Sequence, residues 1–146
     1  MHYADYHTQM IELKDVWTAA GVLLGFQVTV FVMRLQREIA VGETGDFTWL
    51  APADYLNLAG VVVLALGVFV LPLVGFGQQS FVLRSFGLSV ILLVGYMFGL
   101  AGHYELFNPN TSRSFAFCPL QEKVAVSIVI ACSVTYCVLV GLMRSF

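Results

Sequence analysis

From Tyr55 to Gly102 the chain runs forty-eight residues with a single formal charge, Arg84. A helix crosses the hydrocarbon core of a bilayer in about 20 apolar residues, so this stretch holds two crossings, with Arg84 near the turn between them. It reads as a membrane hairpin. Two further uncharged segments have spanning length: Val16 to Met33, eighteen residues, and Val124 to Met143, twenty residues. Composition agrees, since 59% of the chain is hydrophobic and only 11% charged, against roughly 25% charged in a soluble domain. The mean hydropathy of +0.85 points the same way. The expected fold is therefore an all-α integral membrane protein. It is a single four-helix transmembrane domain over residues 1–146, with crossings at about 16–34, 55–75, 81–103 and 123–143.

Four crossings put both termini on one side and two loops of about twenty residues on the other. Orientation is open. Lys14, Arg84 and Arg144 lie on the terminal side, against Arg34, Arg37, Arg113 and Lys123 on the loop side, a balance too even for the positive-inside rule to act on. The first fifteen residues lack the basic start and small-residue cleavage site of a signal peptide, so the N-terminus is expected to be retained. Tyr6, Met10, Leu13 and Trp17 recur at helical spacing, which predicts a short amphipathic segment at the interface leading into the first crossing.

Small residues are arranged in faces. Thr18, Gly21, Gly25 and Thr29 fall within about 80° of one another on a helix, which makes Gly21 and Gly25 a GxxxG pair on a face suited to close helix contact. Gln27 points to the other side, and its amide needs a partner on a neighbouring helix. Asn57, Gly60 and Gly67 share one face of the second crossing, and Gly95, Gly99 and Gly102 one face of the third. Pro72 is expected to kink or end the second helix, with Gly75 to Ser80 as the turn. Arg34 to Asp54 reads as an extramembrane loop, and Asp54 as a helix-start residue that accepts backbone N–H bonds.

Candidate functional residues are sparse. Ser85, Ser89, Tyr96 and His103 fall within about 40° along the third crossing, a polar line that marks a candidate pore or groove. Their alternative role is ordinary interhelical hydrogen bonding. The cores of the crossings hold no Asp, Glu, Lys or Arg, which argues against an ion-coupled pump, a proton-coupled transporter or a voltage sensor. His103, Tyr104 and Glu105 form the best titratable grouping, with Glu105 as a possible orienting carboxylate for the histidine and Cys118 across the same loop. As a catalytic or metal site this grouping is weak, and interfacial anchoring accounts for it.

Cys118, Cys132 and Cys137 form no disulfide framework or metal-ligand spacing, and no cofactor motif is present. On the loop side Arg34, Arg37, Trp49, Phe115 and Phe117 are a candidate surface for a partner or a lipid headgroup. A formal charge of −2 with no basic stripe makes nucleic acid an unexpected partner. The expected function is that of a structural or accessory subunit of a membrane complex or homo-oligomer, without enzymatic chemistry. Its partners are membrane lipid, further copies or other membrane subunits, in the plasma (inner) membrane. The competing expectation is an oligomeric pore with its path along the third helix.

Overall fold

The computed structural model describes residues 12–45, 48–108 and 117–142, and among these it contains helices and connections but no strand. Four helices are long and apolar enough to cross a membrane: α1 (Leu13–Glu43), α2 (Pro52–Leu73), α3 (Gln79–His103) and α4 (Leu120–Leu142). The chain is thus a multi-pass, all-helical protein of membrane-spanning proportions. Most of the expected amphipathic segment, residues 1–11, lies outside the described residues.

The boundaries follow local chemistry. α1 does not stop at the first charge but continues from Arg34 to Glu43, so Arg34, Arg37 and Glu38 stand on a helix instead of in the expected loop. Leu35, Gln36, Arg37 and Glu38 are good helix formers, and the chain breaks only where Gly42, Thr44 and Gly45 gather. Gly45 takes φ 86°, a conformation that glycine adopts without strain. α2 opens with Pro52 in its first turn, where its missing N–H costs nothing. Asp54 accepts a bond from the N–H of Ala51 at 2.9 Å, the carboxylate half of a capping box.

Within α2 the segment Ala65–Val70 is a π-helix. Pro72 follows directly; it has no N–H, and its ring crowds the carbonyl one turn earlier, so a wider turn accommodates it. The helix then ends in a Schellman motif, with Phe76 N–H donating to the Leu71 carbonyl at 2.8 Å and Gly75 N–H to that of Pro72 at 3.1 Å. Gly75 takes φ 82° there. α3 ends in the same way, but its left-handed residue is Glu105, at φ 55°.

Neighbours in sequence are antiparallel neighbours in space. Gln27 meets Gly60 and Arg34 meets Asp54 between α1 and α2. Gly60 meets Leu92 and Gly67 meets Ser85 between α2 and α3. Gly87 meets Tyr136 and Gly95 meets Val129 between α3 and α4. The pair α2 and α3 forms the centre, with α1 laid mainly on α2 and α4 mainly on α3. Two apolar clusters fill the interior. Ala53, Leu56, Leu92, Leu93, Tyr96 and Val129 pack towards the loop end, and Val16, Ala20, Leu64, Val68 and Val82 towards the hairpin end.

Candidate polar site at the loop end of the bundle

Because α1 runs past Arg34, the guanidinium is carried inward against the start of α2 and is only 7% exposed. Its Nε donates to Asp54 Oδ2 at 3.2 Å. One Nη donates to the Glu38 carboxylate, one turn along the same helix, and to the Tyr104 hydroxyl at 3.3 Å. Tyr104 is held from a second direction, with the Arg37 guanidinium 4.6 Å above its ring, a favourable cation–π placement. The clasp joins α1, α2 and the residue that follows α3. A buried pair of this kind adds little net stability, because desolvation offsets attraction, yet removing one partner costs about 3–5 kcal/mol.

A second pair lies alongside. His103 Nδ1 is 2.8 Å from Glu122 Oε2, and the other oxygen of Glu122 accepts the Ala53 N–H at 2.9 Å. That N–H belongs to the first turn of α2, where no intrahelical acceptor exists. Glu122, fully buried, therefore caps α2 from a different helix, and its charge sits favourably at the positive end of that helix. Gly102 makes the approach possible: a Cβ there would stand 2.8 Å from the backbone of Gln121 and Glu122. A carboxylate hydrogen-bonded to His103 is thus that of Glu122, while Glu105 stands in the left-handed turn that follows α3.

Sequence reading missed Glu122. It is the acidic residue in the first turn of α4, and that position explains an acid by its own helix alone. Nothing in sequence joins it to Ala53, sixty-nine residues away.

Further from the loop end a second set of polar groups continues into the bundle. Asn57 Nδ2 donates to the Gln27 carbonyl at 3.0 Å, and Ser89 Oγ to the Gly60 carbonyl at 3.1 Å. Of the candidate line on α3, Ser85, Ser89 and Tyr96 are buried inside the chain's own bundle, while His103 belongs to the loop-end cluster. Gly60, Gly67, Gly95 and Gly99 lie against Gln27, Ser85, Val129 and Ala53 respectively. Gly21 and Gly25 differ, with nothing within 4 Å of a Cβ at either. On the loop side Trp49 and Phe117 meet edge to face at 6.3 Å, Arg37 covers Tyr104, and Arg34 is turned inward. Phe115 lies outside the described residues.

The site is an internal clasp of Arg34 and His103 with Asp54, Glu38 and Glu122. Among the described residues no group of three or more His, Cys, Asp or Glu side chains is placed to hold a metal ion. Cys118 is a free thiol beside this end. Burial pushes its ionisation upward, the nearby Glu122 adds to the rise and Lys123 opposes it. An apolar groove of about 500 Å³ opens between α3 and α4, lined by Phe98, Phe107, Leu120, Val124 and Ile128. Comparison with protein-family models, curated proteins and solved structures found no match to this chain.

Proposed function

We propose that this protein is a structural or accessory subunit of a membrane complex or homo-oligomer, multi-pass in the plasma (inner) membrane and without catalytic chemistry of its own. The observation that carries this reading is the outward face of α1. Gly21 and Gly25 have open space around them, and the threonines on either side satisfy themselves, Thr18 donating to the Lys14 carbonyl at 2.9 Å and Thr29 to that of Gly25 at 2.8 Å. The face is smooth, its hydroxyls already paired, and no helix among the described residues covers it. Such faces let backbones approach closely, which is what drives helix association where no hydrophobic gain exists. The buried charged groups Arg34, Asp54 and Glu122 support the same reading, because they pair within the bundle.

The test replaces Gly21 and Gly25 together by Leu. Wild-type protein in mild detergent is expected to migrate as an assembly larger than a 16.1 kDa chain, alone or with co-purifying subunits. The double variant is expected to migrate as a monomer that keeps the wild-type helical content. A wild type that is monomeric and retains nothing overturns the proposal.

The pore alternative is less well supported. Its candidate residues Ser85, Ser89 and Tyr96 face the core of one chain, where Val16, Ala20, Leu64, Val68 and Val82 close the hairpin end. Single-channel conductance abolished by Ser89→Leu would favour it over the subunit reading.

A further inference from the structure

We propose that Asp54, Asn57 and Gln27 bind a line of water molecules inside the membrane-spanning core. All three side chains are 0% exposed. Asp54 Oδ1, Asn57 Oδ1 and both polar atoms of the Gln27 amide are buried and have no hydrogen-bond partner in the protein. The orientation of Asn57 is not free. Its Nδ2 donates to the Gln27 backbone carbonyl, and flipping the amide would set oxygen against oxygen, so Oδ1 stays an open acceptor.

Asp54 has the same asymmetry. The Arg34 Nε and the Ala51 N–H both go to Oδ2, which leaves Oδ1 without a donor. Asp54 and Asn57 are one turn apart on α2. The Gln27 amide lies over Gly60 one turn further, with Nε2 2.6 Å from where a Cβ would stand. The open groups therefore step from the loop-end clasp towards the middle of the bundle.

Side-chain rearrangement does not satisfy this set. It has three acceptor oxygens, one on each residue, and one donor group, the Gln27 NH₂. That amide can serve the other two residues but not its own oxygen, and each buried group left open costs about 1–3 kcal/mol. The missing element is a small donor. Water has the required chemistry, since buried waters typically make about three hydrogen bonds to otherwise unsatisfied groups. Towards the hairpin end Val16, Ala20, Leu64, Val68 and Val82 fill the core around the buried Trp17 Nε1, so the line has one polar end and one closed end. It is a hydrated recess, and it stands whether or not the chain acts as a subunit.

Water-edited solid-state NMR on labelled full-length protein in liposomes tests the inference. The side-chain amides of Gln27 and Asn57 are expected to receive magnetisation from water several-fold faster than Leu64 and Val68, and at a rate near that of Asn108 in the loop. Gln27→Met and Asn57→Leu, each removing one amide signal, assign them. The wild-type measurement stands even if either variant fails to fold. Amides as dry as Leu64 overturn the proposal. So do dry amides whose shifts move saturably with added NaCl or NH₄Cl, an outcome that puts a cation in place of water.

Discussion

Gly102→Ala pits a local gain against a tertiary cost, and the structure says which wins. Exchanging glycine for alanine inside a helix is worth about 1 kcal/mol in favour of alanine. At Gly102 the added carbon would stand 2.8 Å from the Gln121 carbonyl carbon and the Glu122 nitrogen, and 2.9 Å from the Gln121 oxygen. All three are backbone atoms, so no rotamer change relieves the contact, and the start of α4 must move away by about half an ångström. That movement acts on Glu122, whose bonds to Ala53 and His103 are 2.9 Å and 2.8 Å long. Overpacking costs about 1–3 kcal/mol, and loosening a buried charged hydrogen bond adds about 1–3 kcal/mol. After the helix gain is subtracted, a loss of about 1–5 kcal/mol remains. The assay is reversible unfolding in mixed micelles under conditions that keep the chain monomeric, with Gly21→Ala as control. Nothing lies within 4 Å at Gly21, so the control is expected to be unchanged or more stable by up to about 1 kcal/mol. If Gly102→Ala matches the control, the tight seating of α4 on α3 is wrong.

Arg34→Ala is expected to cost about 3–5 kcal/mol by stranding Asp54, and the double change Arg34→Ala with Asp54→Ala less than the sum of the singles; a double-mutant cycle of unfolding free energies checks this. In a Cys132→Ala, Cys137→Ala background, Cys118 is expected to react slowly with a maleimide at neutral pH. Its raised ionisation means less thiolate there than in a free thiol, so the rate should climb only at higher pH than for glutathione; matching pH profiles would contradict this.

The helices were legible because hydrocarbon imposes a length and a polarity that local sequence displays. Val16 to Met33 and Tyr55 to Gly102 declare themselves without reference to the rest of the chain. The reach of α1 to Glu43 was hidden, because charged residues beyond a spanning segment look alike whether they sit on a helix or in a loop. Gln27 could be assigned a side, opposite Gly21 and Gly25, since helical spacing fixes angles. Its neighbours Gly60 and Asn57 could not be named, because helical spacing says nothing about register between helices. The clasp was least visible. Arg34 meets Asp54 and Tyr104, and Glu122 meets Ala53 and His103, only through the packing of all four helices, and each taken alone looks like an anchor at the membrane surface.

The pairing of Gln27 with α2 also sets an order of events during synthesis. Asn57, which binds the Gln27 carbonyl, lies thirty residues downstream, so at roughly 5–20 residues per second it is made seconds after Gln27. In that interval α1 must hold its amide among lipids or against the insertion machinery. The hairpin of α2 and α3 then emerges as one continuous unit and offers Gly60 to Gln27. Glu122, which closes the cap on α2, comes from α4, made after the other three helices. Assembly of the loop end therefore waits for α4, so a ribosome stalled before Leu120 holds a nascent chain whose α2 start still lacks that acceptor.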